Sequence, residues 1–114
     1  MRQVTLASPG GLNNLKLAEV EKPTPKSDQV VVKVAASSLN YHDLLVALGR
    51  IPTEDGRIVL SDCAGEIVAV GDAVTRWKVG DTVMSCCYPH WVEGPPQYQL
   101  LSFIGDNEDG YSTE

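Results

Sequence analysis

Residues 63–83 read CAGEIVAVGDAVTRWKVGDTV, and the fold is decided by the spacing inside that stretch. Alternating apolar side chains from Ala64 to Val70 have the period of a strand, whose successive side chains point to opposite faces. Gly65 falls inside that strand, where a missing Cβ signals a bulge or a close backbone approach. Gly71-Asp72 then reads as a tight turn needing positive φ at the glycine. Gly80-Asp81 repeats the device at the next corner, where the carboxylate can accept nearby backbone N–H groups. Valines at every second place are expected to fill one face of a β structure. Two strands joined through two glycine corners within 21 residues leave little room for anything but a small, mostly β domain.

Working outward, QVVVKVAAS (29–37) is β-branched and nearly continuous, the best candidate for a central strand. RQVTLA (2–7) and LKLAEV (15–20) alternate apolar and polar residues around SPGGLNN, a turn-rich linker, and read as a β-hairpin. KPTPKSD (22–28) is a proline-rich connector. HDLLVALG (42–49) changes the period: Leu44, Leu45 and Leu48 share a helical face, Gly49 sits at a left-handed C-terminal cap, and Asn40 can cap the front. RIPTEDGRIVL (50–60) is a loop leading into a strand. Beyond Tyr88 the pattern dissolves into loop chemistry around the short apolar patch LLSFI, and GYSTE approaches a further strand. The expectation is one mainly β domain over residues 1–114, a partly open barrel with one or two short helices. Its open edge invites pairing with a second copy.

Composition narrows the function classes. No apolar run approaches the ~18 residues that span a bilayer, and MRQVTLASPGG lacks the apolar region of a secretory leader. A cytoplasmic protein without a membrane partner is expected. Cys63, Cys86 and Cys87 are too few for a disulfide framework, and the adjacent pair would make a poor bridge. The net charge of -6 is unevenly placed. Nine Lys/Arg cancel nine Asp/Glu through Lys78, after which there is no base and six acids: Asp81, Glu93, Asp106, Glu108, Asp109 and Glu114. Such a tail repels phosphate backbones, which argues against nucleic acid, and reads as a solvated loop face.

The chemistry-bearing side chains gather in SSLNYHDLL (37–45), where Asn40, Tyr41, His42 and Asp43 stand between the valine strand and the short helix. An active-site corner, a metal site and a polar turn would each use such residues.

The stretch 30–52, followed by 60–83, resembles the N-terminal GroES-like domain of the medium-chain dehydrogenase/reductases. Ala64, Gly65, Val68, Val70, Gly71, Val74, Gly80, Asp81 and Val83 follow that family's A-G-x-x-V-x-V-G-x-x-V-x-x-x-x-x-G-D-x-V pattern. The resemblance runs over residues 1–114 and weakens after about residue 88. It implies a GroES-like barrel in which Gly65, Gly71, Gly80 and Asp81 are structural.

In the zinc-dependent alcohol dehydrogenases of that family the corner carries a Cys ligand, and Gly-His-Glu stands before the A-G pair. Here the corresponding positions are Asn40 and Ser61-Asp62-Cys63. Catalytic zinc needs three thiolate, imidazole or carboxylate ligands on a rigid frame, so no catalytic zinc is expected. The four-cysteine structural zinc lobe of that branch is missing too. His42, His90, Asp62 and Cys63 have no ligand spacing of their own.

Asn at this corner is similar to the zinc-independent branch, the quinone oxidoreductases and enoyl reductases. The resemblance implies NAD(P)H as cofactor and a small carbonyl compound (quinone, enone or aldehyde) as substrate. It places Asn40 on the nicotinamide side of the cleft as a cofactor-binding and catalytic residue, with Asp43 pinning the turn or capping the helix. An uncharged amide suits a site where an enolate develops. Tyr41 and His42 are the candidates for proton delivery. Many members of the branch carry a Tyr after the helix-ending glycine, where this chain has Ile51. Tyr88, Trp91, Tyr98 and Phe103 are candidate cleft walls.

Hydride transfer from a dinucleotide requires a phosphate cradle, in this family a G-x-G-x-x-G turn between strand and helix. No two of the ten glycines are separated by a single residue. The chain therefore reads as a substrate-side domain without its Rossmann partner, cut short and inactive alone. The alternative is a self-sufficient GroES-like binding or assembly module with no redox role.

Overall fold

The computed structural model describes residues 1–114. Six strands form in chain order: β1 (Arg2–Leu6), β2 (Leu15–Glu19), β3 (Val30–Ala36), β4 (Arg57–Ile58), β5 (Ala64–Val70) and β6 (Thr82–Met84). One helix, α1 (Tyr41–Ala47), lies between β3 and β4, and short 3-10 turns span Leu12–Asn14 and Tyr98–Leu100. The strands make two antiparallel three-stranded sheets, ordered β2-β1-β4 and β3-β5-β6. The sheets do not close on each other, giving the mainly β, partly open GroES-like architecture. No helix is long and apolar enough to cross a membrane.

The hairpin read from the first twenty residues forms in register, Arg2 opposite Glu19 and Leu6 opposite Leu15. The valine strand is not central, however. β3 pairs only with β5, which occupies the middle of its sheet. Continuous β-branched sequence was the signal for centrality, but no residue of β3 is buried. Its apolar residues pack one half-buried face and leave an edge free.

The valines of the motif do not share one buried face: Val70, Val74 and Val83 are half-buried and Val68 is exposed. Ile67 is fully buried in β5, whereas Val68, one residue on and so on the opposite face, is exposed. The glycines are explained by two different causes. Gly80 adopts φ 93°, as its corner requires. Gly71 does not have positive φ; a Cβ there would stand 1.9 Å from the Lys26 carbonyl oxygen. Close approach of the 26–27 backbone demands glycine at 71, not turn geometry. Gly65 is likewise pressed by Lys33, whose carbonyl oxygen would lie 2.2 Å from its Cβ, beside a register shift between Val34 and Ala36.

The core is thin. Leu6 of β1, Val46 of α1 and Val59 after β4 form its buried centre, with Val4, Leu15, Ile51 and Leu60 packed around them. The buried face of α1 is Asp43, Val46 and Ala47, not the leucine face expected from the sequence. Leu44 and Leu48 stay exposed. Gly49 does end the helix at φ 72°.

The acidic C-terminal stretch is not a free solvated face. Its backbone returns to the first hairpin, where Val4 N–H donates to the Ser112 carbonyl at 2.8 Å, and to the segment after β4, where Tyr111 N–H donates to the Leu60 carbonyl at 2.9 Å. Its acids meet bases from earlier in the chain: Glu114 with Arg2, Asp109 with Arg57 at 3.1 Å, Asp106 with His42 at 2.9 Å. Glu108 meets His90 at 2.6 Å. The uneven charge along the sequence is thus partly cancelled in space.

Candidate functional site

The corner between β3 and α1 is tied down by Asp43, 6% exposed. One of its carboxylate oxygens accepts the Asn40 N–H at 2.9 Å and the other the Ser61 N–H at 3.0 Å. The first contact is half of a capping box at the front of α1, with Asn40 as N-cap. The second staples the helix to the segment entering β5. Asp43 therefore joins the two stretches of chain that carry the site.

That segment enters in a strained shape. Leu60 has φ 75°, an unusual conformation for a branched residue, costing on the order of 1–2 kcal/mol. It turns Ser61 inward, 1% exposed, against Asn40. The Asn40 amide nitrogen donates to Ser61 Oγ at 3.1 Å and to Asp62 Oδ2 at 2.9 Å. Ser38 Oγ donates to the same Asp62 oxygen at 2.9 Å, and Ser37 Oγ to the Asp62 carbonyl at 2.6 Å. Both amide hydrogens of Asn40 are committed inside the corner, and its side-chain oxygen faces the Asp43 N–H as the other half of the capping box, so what it can offer a ligand is that oxygen's second lone pair.

The donor set does not fit a catalytic metal. Asn40 and Ser61 are neutral, Asp62 supplies one carboxylate already holding two donors, and Cys63 turns its N–H to Ser85 Oγ at 2.9 Å. Burial pushes the Cys63 thiol upward, away from the thiolate that zinc requires. No group of three or more His, Cys, Asp and Glu side chains is placed to hold an ion.

His42 points away from this network, toward the loop after residue 102. Its Nε2 lies 2.9 Å from Asp106 Oδ2, and its ring is tilted on Phe103 with centroids 4.1 Å apart. Phe103 in turn meets Tyr88 edge-on at 5.3 Å, and Tyr88 meets Trp91 at 6.1 Å. Three of the four candidate aromatics therefore form one wall beside His42, while Tyr98 stands 90% exposed. Tyr41 does not join His42. It is 71% exposed and lines an apolar groove of about 440 Å³ with Leu12, Leu15, Leu39, Leu44 and Leu60, next to Asn40.

The structure thus brings Asn40, Asp43, Ser61 and Asp62 into one cluster, with His42 on its flank and Tyr41 on the groove. Gly65 and Gly71 shape the backbone beneath, and Gly80 with Asp81 forms a distant corner in which Asp81 accepts the Lys78 N–H at 3.0 Å. Sequence reasoning missed Asp106 and Leu60. Asp106 lies 64 residues from His42 and was read only as part of an acidic run. Leu60 carries no composition signal at all.

A family model described as the alcohol dehydrogenase GroES-like domain matches residues 26–114. A mycocerosic acid synthase-like polyketide synthase of Mycolicibacterium smegmatis is 42% identical over 83 residues, 71% of this chain and 4% of that protein. The human synaptic vesicle membrane protein VAT-1 homolog-like is 38% identical over 96 residues, 82% of this chain and 23% of the relative. Its crystal structure superposes with TM-score 0.67, covering 74% of this chain and 27% of that one. A Pseudomonas syringae quinone oxidoreductase gives TM-score 0.64 at 33% identity, covering 71% and 25% of the two chains. The fold of the Escherichia coli quinone oxidoreductase complexed with NADPH is also similar, with TM-score 0.68 at 24% identity over 74% and 26%. The chain spans about a quarter or less of the length of each of these proteins.

Proposed function

The chain belongs to the alcohol dehydrogenase GroES-like domain family of the medium-chain dehydrogenase/reductases, and from that membership we propose that it is the substrate-side domain of a zinc-independent, NAD(P)H-dependent reductase of small carbonyl compounds. The observation that carries this reading is the Asn40 corner. Where metal-using members of the family present thiolate and imidazole, an amide here is locked to Ser61 and Asp62. Names among the relatives support the class: a quinone oxidoreductase and a polyketide synthase.

In this reading the reduced nicotinamide, when bound, supplies the hydride. The chain supplies the surroundings. The second lone pair of the Asn40 side-chain oxygen would be the acceptor turned to the cofactor side of the cleft, the amide being held rigid by its two donated bonds and by the capping box. The apolar groove beside Tyr41 takes the body of an enone or quinone and keeps water from it. Of the two candidate proton donors, Tyr41 lines that groove and would deliver the proton that completes reduction, whereas His42 faces Asp106 and Phe103. The phosphate cradle must come from further sequence, since this chain has no glycine pattern able to form one. By itself the chain is then catalytically silent. Its free thiols suit a reducing compartment such as the cytoplasm, and the free edge of β3 is where a second copy would pair.

Two measurements test the reading. Fluorescence titration of this chain with NADPH is expected to show no binding, and micromolar binding would overturn the division of labour. The gene downstream of codon 114 is expected to encode a strand, a G-x-G-x-x-G turn and a helix within about 60 residues. A stop codon there, with a stable oligomer in solution, would favour a binding or assembly module instead.

A further inference from the structure

The groove beside Asn40 and Tyr41 is built differently from the polar corner it adjoins. Eight of its ten lining residues are hydrophobic. Val59 and Ala47 are buried at its base, and Leu12, Leu39, Tyr41 and Leu44 stand exposed around it. The two polar members are Asn40 and Asp43, and both are engaged. Asn40 donates its amide hydrogens to Ser61 and Asp62, while Asp43 accepts the Asn40 and Ser61 N–H groups. No lysine, arginine or histidine lines the groove.

These walls decide what can fill it. At about 30 Å³ per molecule of liquid water, the groove's 440 Å³ takes on the order of fifteen waters. Those waters find almost no polar partner, so an apolar chain that displaces them gains affinity. An anionic group gains nothing there, because no cation pairs with it and the Asp43 carboxylate repels it. Asn40 and Tyr41 line the same groove. A molecule held by them at its carbonyl therefore lays its remaining length among the leucines.

We propose that the groove is a tail subsite selecting uncharged carbonyl compounds that carry an apolar chain, and that Leu44 sets this preference. The inference rests on the reductase reading above and narrows its substrate class. Leu44 follows Tyr41 by three residues on α1, the spacing of neighbours on one helix face. It is 44% exposed, so a charge placed there would face the tail rather than the folded core.

The test begins on this chain without cofactor. Its failure is thus distinct from failure of the reductase reading, which would show as ketone binding intact but no carbonyl reduction by the polypeptide of the entire reading frame. In isotope-labelled chain, 2-nonanone should shift the nuclear magnetic resonance signals of Leu12, Tyr41 and Leu44. It should bind at least about tenfold more tightly than 2-butanone, since each buried methylene adds affinity, and at least about tenfold more tightly than octanoate. Leu44→Lys, checked for folding by circular dichroism, should remove that preference or reverse it in favour of octanoate. If this variant does not fold, Leu12→Lys, at another exposed position of the groove, carries the same test. In the polypeptide of the entire reading frame, Leu44→Lys should raise KM for 3-nonen-2-one by more than it lowers kcat, because the tail is bound away from the reacting atoms. Equal affinity for ketone and carboxylate, signals shifted only elsewhere, a preference unchanged in a folded variant, or a loss confined to kcat would each overturn the proposal.

Discussion

Asp43→Ala should cost far more than a polar substitution on a short helix usually does. The side chain is 6% exposed, and its two oxygens hold the Asn40 and Ser61 N–H groups at 2.9 and 3.0 Å. A hydrogen bond to a charged acceptor contributes about 1.5–3 kcal/mol, and an orphaned buried donor loses its full hydration. Ser61 is 1% exposed, so water cannot replace the lost partner there; at half-buried Asn40 it partly can. The sum is about 3–4 kcal/mol, a large part of the 5–15 kcal/mol that typically holds a domain. At a urea slope of about 1.5 kcal/mol/M the denaturation midpoint should fall by about 2–2.7 M. Asp43→Asn keeps an acceptor for one of the two donors and should lose roughly half as much. Urea titration followed by circular dichroism reads both. An Asp43→Ala midpoint within about 0.5 M of wild type would refute the claim that this carboxylate joins α1 to the entry of β5.

The glycines offer a second comparison. Gly71→Ala drives a Cβ into the Lys26 carbonyl and should cost at least about 3 kcal/mol, whereas Gly80→Ala meets no atom within 4 Å and should cost only the ~1–2 kcal/mol of its left-handed φ. Equal losses in thermal melts would contradict the close-approach account of Gly71. Acid should loosen the returning C-terminal segment first. Hydrogen bonds from Arg2 hold the Glu114 carboxyl down to about 2, and the Lys78 side chain and Ser102 hydroxyl hold Asp81 and Glu108 below their usual ranges. Groups depressed in the fold add stability above their unfolded values, so it should be lost between about pH 4.5 and 2. Amide exchange at residues 110–114 checks this, and a pH-independent signal there would count against it. At the other end, burial pushes Cys63 and Tyr111 upward; both ionise more readily unfolded, so stability should fall above about pH 9. Cys86, exposed, should react with iodoacetamide at neutral pH while Cys63 stays unmodified until the chain unfolds.

What was legible in the sequence was local. The strand over 64–70, the glycine corner at 80–81 and the first hairpin follow from alternation and turn chemistry within about twenty residues. Asn40 as a helix cap with Asp43 three residues later is a short-range signature as well. The errors came where a neighbour distant in sequence decides. Gly71 is required by the backbone of Lys26 and Ser27, which no local pattern announces. The buried face of α1 is set by Leu6 and Val59, so Val46 won over the more numerous leucines. Asp106 became visible only when the C-terminal segment was seen to return across the molecule. The lopsided charge was its one trace in the sequence, six acids with no base to match until the chain folds back.

The most direct test is carbonyl-dependent oxidation of NADPH by the polypeptide encoded by the entire reading frame, measured with and without a strong zinc chelator. Turnover of a quinone or enone at the same rate in both conditions is the predicted result. Turnover abolished by the chelator and restored by zinc, or no turnover with any carbonyl acceptor, would contradict the assignment of the Asn40 corner to a metal-free reductase cleft.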